Sequence, residues 1–359
     1  MALQASGNAI SFSQIEAEFG QNTDRDLGEY RVSQTVGGLS NQPLDTGVPQ
    51  SGAIKFSDFY SKRLNVIIDY HSGSTENRPS VAKTRYDASA GTGAHTVLTG
   101  GWTKTRPANS SGTRTRIHIN KTIGSATGNV NNCAVRTGTG WNAGTVLTIE
   151  IGSSGKLYGA GGNGGEAGTS SSDANGENGG AGSSGLGVQY DGTTVINNGV
   201  ISAGYGGGGG GGYRKVEKEE TGPGEIFSAS GGGGGGGQGL PNGEGIDGGA
   251  DGTTTAGGNG GNGGSEEQAH GGGGGGGGSN GTGGEGGNSN DGTNGTSSAG
   301  GNGADGTHTG SVENENNVTG EGGTGGAGGA AIRRTSGITV NISDPATGIT
   351  GATDATGVS

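Results

Sequence analysis

Apolar positions crowd the chain before about residue 158, and three different spacings follow one another along it. The first part carries a short imperfect repeat, SGNAISFSQ at 6–14 and SGAIKFSDF at 51–59. In the first copy Ser13 and Glu16 fit a capping box, which predicts a short helix through Phe19. In the second, Ser57 is placed to cap a turn bearing Phe59 and Tyr60. A polar linker, 20–50, joins the two. From 64 to 158 the spacing is that of strands. Residues 64–70 are a β-branched run. In 115–122, Ile117, Ile119 and Lys121 alternate with Arg116, His118 and Asn120, and in 145–151 Leu147, Ile149 and Ile151 share one face. Gly, Asn and Ser clusters separate these runs as hairpin and loop signals do. The expected unit is a compact β-domain of about 90 residues.

From 159 to 329 the period becomes three. Gly159, Gly162, Gly165 and Gly168 keep one phase, as do Gly176, Gly179, Gly182 and Gly185, and again Gly320, Gly323, Gly326 and Gly329; 257–264 reads GGNGGNGG. Strands repeat every two residues and helices every 3.6, whereas three residues per turn is the polyproline II screw. Within this region 206–212, 231–237 and 271–278 contain nothing but glycine. At about 3.1 Å per residue each would span roughly 22–25 Å, so their similar lengths imply a slab of constant thickness. Fixing glycine backbone is costly, roughly 1–2 kcal/mol per residue or about 10 kcal/mol for a run of seven. A lone polyproline II helix has no internal hydrogen bonds to offset this. A two-dimensional bundle offsets it by bonding each helix to its neighbours at about 0.5–1.5 kcal/mol per bond. Interior helices must then be all glycine, and outer ones can carry a side chain at every third position. The polar segments between runs, 169–175, 213–230, 265–270, 288–299 and 307–319, become loops at the ends of the slab. After 330 a β-like alternation returns with Ile338, Val340 and Ile342, read as a segment folding back over one surface; 344–359 carries no clear signal. The expected fold class is an N-terminal part that is mainly β with short helices, followed by a C-terminal polyglycine II sandwich with surface loops. Its units are 1–63, a β-domain at 64–158, the glycine bundle at 159–329 and a closing β-segment and tail at 330–359.

Composition narrows the function. Gly accounts for 94 of 359 residues but Pro for only 7, which excludes collagen, whose triple helix needs Pro beside a strict glycine period. A net charge of −12 argues against nucleic acid, which requires clustered Lys and Arg. No stretch is apolar enough to span a bilayer. The start, MALQASGNAISFSQIEAEFG, lacks a signal peptide's basic and apolar regions, so synthesis in a cytosol is expected. Cys133 is the single cysteine and reads as a buried inert thiol. Gly-x-Gly-x-x-Gly matches follow from composition alone and lack the strand, helix and acidic residue of a dinucleotide site. GGNGAD at 300–305 matches part of a calcium-binding nonapeptide but has no tandem copies. The five histidines show no metal-ligand spacing, and Glu217, Glu219 and Glu220 read as a solvated face. No nucleophile and base, no metal site and no cofactor site is expected, and the chain is read as a non-enzyme.

The stretches VLTIEIGSSGKLYGAGGNGGEAG at 146–168 and TVINNGVISAGYGGGGGGG at 194–212 resemble the distal tail-fibre adhesins of T-even-type phages, in which such β-edged segments lead into polyglycine II helices. GAGGAAIRRTSGITV at 326–340 is similar to the closing segment of that family. The resemblance, over about 145–342, implies a polyglycine II sandwich at a fibre tip in the virion. Its loops would recognise an outer-membrane protein or surface glycan of the bacterial host. The expected contact residues are Tyr213, Arg214, Lys215, Glu217, Lys218, Glu219, Glu220, Ile226 and Phe227, helped by Ser171, Asp173, Asn175, Asn290, Asp291, Asn294, His308, Glu313 and Glu315. Loop 213–230 is favoured because its 18 residues exceed what a turn needs, while 265–270 reads as a solvated turn. The N-terminal part departs from the family. ISFSQIEAEFG, DLGEY and VPQSGAIKFSDFYSKR look like a short module of phage virion proteins. It would attach the chain to other tail or fibre proteins through Phe12, Ile15, Phe19, Phe56, Phe59 and Tyr60. Two other readings stay open: a purely structural spacer or tip plug, and an ice-binding protein, which would need a flat row of small residues.

Overall fold

The computed structural model describes residues 3–19, 26–31, 35–36, 39–40, 47–63, 65–70, 95–98, 114–139, 141, 143–218, 225–297, 299–308, 317–343 and 347–358. The chain is mostly β, with one α-helix, Phe12–Phe19, and short 3-10 turns at Leu27–Tyr30, Phe56–Phe59 and Gly287–Ser289 among those residues. The helix is capped two residues before the expected position. Ser11 Oγ accepts from Gln14 N at 3.3 Å and Gln14 Oε1 accepts from Ser11 N at 2.8 Å. Ser11 and Gln14 therefore form the reciprocal box that Ser13 and Glu16 were expected to form. The second turn likewise starts early. Lys55 N donates to Asp58 Oδ2 at 2.7 Å, and Ser57 lies inside the turn rather than at its cap.

Three sheets, parallel except for the antiparallel edge strand His95–Leu98 of one, form the sides of a coil. The chain runs through Cys133–Arg136, Val146–Ile151 and Lys156–Tyr158, one strand in each sheet. It leaves after Tyr158 and returns as Ser184–Val188, Thr193–Asn197 and Val200–Ser202, each paired in parallel with its counterpart one turn earlier. It leaves again for 203–331 and returns as Ile332–Arg334, Val340–Ile342 and Ile349–Thr350, again in parallel. The alternation at 145–151 holds, with Leu147, Ile149 and Ile151 buried and Val146 exposed. The pairing differs from the hairpins that the separating turns suggested. Arg114–Ile119 pairs in parallel with both Asn65–Tyr70 and Val146–Ile151, so strands distant in sequence are neighbours. The core of the coil is Ile117, Ile119, Ile123, Leu157, Leu186, Val188, Val195, Ile201 and Ile332. In space, then, the β-unit does not close at 158, because it is completed by strands from within and from beyond the glycine region.

The glycine region is a bundle of runs with no helix or strand of their own. Backbone bonds from 206–212 fan out with a stride of three. Gly207 and Gly210 donate to Gly180 and Glu177, Gly208 and Gly211 to Gly235 and Gly232, and Gly209 and Gly212 to Gly301 and Ala304. Its carbonyls accept from three further runs: Gly326 and Gly323 bond Gly207 and Gly210, Gly165 and Gly168 bond Gly208 and Gly211, and Gly275 and Gly272 bond Gly209 and Gly212. One run therefore has six neighbours, two per phase. The runs 231–238 and 271–278 are surrounded in the same way, and each all-glycine run bonds to the other two. The remaining runs, 159–168, 174–183, 320–329, 300–306, 290–296, 281–287, 257–264, 247–253 and 243–246, bond one to the next in a closed ring around this triangle. Glycine is required inside for a plain reason: a Cβ at 206–212 would lie 1.8–2.2 Å from a neighbouring carbonyl oxygen.

Outer runs have a different problem, since their outward N–H groups face no neighbour. Asn and Asp side chains of the adjacent run take them. Asn163 Oδ1 accepts from Glu244 N at 3.1 Å while Gly164 N donates to Glu244 O at 2.8 Å. Asn259 with Gly260 holds Thr282 identically. Between antiparallel runs the clamp is offset by two: Asn302 takes Gly325 N while Gly303 N donates to Gly323 O. The Gly-Gly-Asn repeats are thus the signature of an outer run.

Candidate functional site

The direction of each run decides which loops share an end. Run 159–168 leaves the coil and 174–183 returns to it, so 169–173 turns at the far end. By the same reasoning 213–218 with 225–230, 265–270, 287–290, and 307–308 with 317–319 also lie there, whereas 238–242 and 253–256 turn beside the coil. At the near side Leu240 accepts from Ser125 N at 3.0 Å, which seats the bundle on the coil.

The segment 213–230 is a hairpin, not an open loop. Arg214–Lys218 and Glu225–Ala229 pair antiparallel, and Val318–Thr319 adds to the first strand. The period of two in RKVEK and EIFSA explains it: Arg214, Val216 and Ala229 turn inward, while Lys215, Glu217, Ile226 and Ser228 turn outward. Val216, Ala229 and Ala269 form a small core against which Phe227 packs. A second ladder, Ala269–His270 with Thr307–His308, packs beneath the hairpin. Three polar ties hold the cap. Glu266 Oε2 accepts from Ser228 N at 2.8 Å, Asn317 Oδ1 accepts from Glu217 N at 3.0 Å, and Ser265 Oγ lies 2.9 Å from His270 Nδ1.

This geometry sorts the expected contact residues. Ile226 is 61% exposed and is the most open large apolar side chain among the described residues. Lys215 and Glu217 form an ion pair on the same outer face. Ser171 and Asp173 are exposed on the turn beyond 168. Tyr213 and Arg214 do not lie on that surface. Tyr213 is 7% exposed and its backbone continues the glycine run, bonding Ala174 and Gly320. Arg214 is 5% exposed and donates to Val318 O, and burial lowers its guanidinium pKa. Asn175, Asp291 and Asn294 are committed to the bundle, where they accept from Glu321 N, Gly286 N and Gly283 N at 2.9–3.0 Å. Segment 288–299 is accordingly no single loop, because residues 290–296 are a run of the outer ring descending from a far-end turn to a near-end one. Asn290 reaches Asp305 O through its side-chain nitrogen. His308 lies in a far-end strand, Lys218 ends the first hairpin strand, and nothing is described of either side chain. Glu219, Glu220, Glu313 and Glu315 lie outside the described residues. Sequence reasoning missed Glu266 and Asn317, which sit in segments too short and polar to show periodicity.

No group of His, Cys, Asp or Glu is placed to hold a metal among the described residues, and no helix there is long and apolar enough to cross a membrane. In the partial calcium motif, Asn302 and Asp305 give their oxygens to Gly325 N and Gly322 N. Cys133 is buried, which pushes its thiol up to about 11, against a smaller opposing effect of Arg136.

In the N-terminal module Ile15, Phe19 and Phe59 are fully buried around Tyr30, with ring centroids 5.7–6.1 Å apart. They make the module's core and are unavailable to a partner. Phe56 is 40% exposed, edge-on to half-buried Phe12 at 6.1 Å, and Tyr60 is half-buried.

Residues 82–269, more than half of the chain, match a family model, Phage tail fibre adhesin Gp38. The chain belongs to that adhesin family. Among solved structures it is similar to a chain of the gp37-gp38 adhesin tip complex of the bacteriophage S16 long tail fiber. Identity is 17%, coverage is 98% of this chain and 99% of that one, and the TM-score is 0.31. Membership rests on the family match, since the superposition is too loose to bear on it. No curated protein matches the adhesin's sequence.

Proposed function

We propose that the chain is a receptor-binding tip of a phage tail, recognising a bacterial outer-membrane protein or surface glycan through its far end. Family membership supports the adhesin role. The observation that carries the mechanism is the gathering of the hairpin and the turns at 169–173, 265–268 and 287–290 at the end remote from the coil. Loops on a rigid scaffold are the usual place for recognition. The glycine runs act as polyglycine II helices in this reading, supported by their three-residue stride and six-fold neighbourhood. The N-terminal module mounts the chain on other tail or fibre proteins, with exposed Phe56 and the half-buried Phe12 beside it as its contact. The recognition step needs no covalent chemistry, and the reading is of a non-enzymatic virion component.

The test uses the purified full chain and cells of the phage's host. Cell binding should fall at least tenfold when Lys215, Glu217 and Ile226 are replaced together by Ser. Undiminished binding after the hairpin face, 169–173 and 265–268 are altered in turn would sink the reading.

A further inference from the structure

The far-end sheet has the order Glu225–Ala229, Arg214–Lys218, Val318–Thr319, which leaves Glu225–Ala229 as an outer strand. In an antiparallel ladder the N–H and C=O of one residue point to the same side, and the side alternates along the strand. Two bonds fix the phase. Ser228 N points away from the ladder to Glu266 Oε2, and Glu217 N, opposite Ile226, points away on the other side to Asn317 Oδ1. The N–H and C=O of Ile226 and the C=O of Ser228 therefore face out of the open edge, and no partner for them occurs among the described residues. Glu266 occupies the remaining outward donor, at Ser228, and so closes the edge beyond that point.

We propose that this edge takes an extended peptide segment of a cell-surface protein, added as a further strand at Ile226. The inference rests on the adhesin reading and narrows its receptor to a protein. A donor and an acceptor on one residue, at strand spacing, match another peptide backbone, and strand addition draws its affinity from such main-chain bonds. The Ile226 side chain, 61% exposed beside them, offers an apolar contact to an alternate side chain of the incoming strand. Glu225, the preceding residue of the strand, and Glu266, which caps the next outward donor, are exposed, and favour a segment with Lys or Arg flanking an apolar residue. Proteins commonly blunt open edges with charge; here Glu266 blunts one position and leaves the Ile226 pair open.

The experiment compares Ile226→Ala with Ile226→Pro in the full chain. Proline is tolerated on an edge strand where the N–H faces solvent, so it removes the outward donor without touching the ladder. Ile226→Ala should weaken cell binding a few-fold and Ile226→Pro at least tenfold, with both melting like the parent. Equal binding by the two variants at unchanged melting temperature overturns the proposal. A second arm treats cells with proteinase K or with periodate. Protease should abolish binding of the parent and periodate should leave it intact, and the reverse pattern overturns the proposal whatever the fate of the proline variant. Failure of the parent to bind untreated cells would instead refute the adhesin reading itself.

Discussion

Replacing Gly209 with Ala tests the bundle at its centre. The added Cβ would lie 2.1 Å from Gly323 O, about 0.9 Å inside the 3.0 Å that real Cβ contacts respect. Neither side can yield alone. Runs 206–212 and 320–329 are joined on either side of that point by Gly210 O with Gly323 N at 2.7 Å and Gly207 O with Gly326 N at 2.8 Å. Separating the runs by the missing distance would stretch both beyond hydrogen-bonding range. It would also disturb the bonds of Gly209 itself to Gly301 and Gly275, at 3.0 and 2.8 Å. Each buried backbone group left unsatisfied costs about 1–3 kcal/mol, and overpacking costs about 1–3 kcal/mol more. A loss of about 4 kcal/mol or more is expected. At roughly 2–4 °C per kcal/mol for a domain of comparable size, Tm should fall by about 10 °C, or the protein should fail to fold. Gly264→Ala is the matched control: its nearest neighbour would be Ser230 O at 3.4 Å, ordinary contact, on an exposed outer run. It should be neutral or gain about 0.4–1 kcal/mol through the unfolded chain. Calorimetry on both variants decides. If Gly209→Ala melts within about 2 °C of Gly264→Ala, the close-packed account of the glycine runs is wrong.

Other consequences are open to similar measurement. Asn178 accepts from Thr324 N at 2.8 Å, so Asn178→Ala should cost about 0.5–1.5 kcal/mol by thermal melt, while Asn178→Asp, which keeps the acceptor, should cost less. Burial raises the Cys133 thiol to about 11 from 9.0. The stability this gives is complete below pH 9 and is lost as pH rises towards 11. Urea melts across that window should show a steeper decline for the parent than for Cys133→Ala, and a thiol reagent should label Cys133 only on unfolding. Phe56→Ser should leave Tm nearly unchanged, since the ring is 40% exposed, yet abolish incorporation into particles as read by immunoblot of purified virions.

Much of the candidate site was hidden from the sequence for identifiable reasons. Ile226 and the Lys215–Glu217 pair stand out as side chains in a long polar insertion, and they do lie together on one outer face. Tyr213 and Arg214 have the same contact-making chemistry but are buried, because the glycine run extends through Tyr213 and the strand begins facing inward. Asn175, Asp291 and Asn294 look like loop residues, and only the adjacent run shows that they cap backbone N–H groups. In the N-terminal module the aromatic repeat does not tell its two halves apart, and tertiary packing decided that Phe59 is core and Phe56 is surface.

The sequence by itself determined the three-residue period of the bundle and which runs must be interior, because a backbone with neighbours on every side admits no Cβ. It also determined the inward faces of the strands, since alternation is local. Which run lies beside which was decided only in three dimensions. Strands Lys156–Tyr158 and Val200–Ser202 pair in parallel, so runs 159–168 and 204–212 leave the coil side by side and in phase, with Gly162, Gly165 and Gly168 bonding Tyr205, Gly208 and Gly211. Glycine runs are interchangeable in composition and carry no address of their own. Their order, and with it the end at which each loop emerges, is inherited from the coil that launches and recaptures the chain.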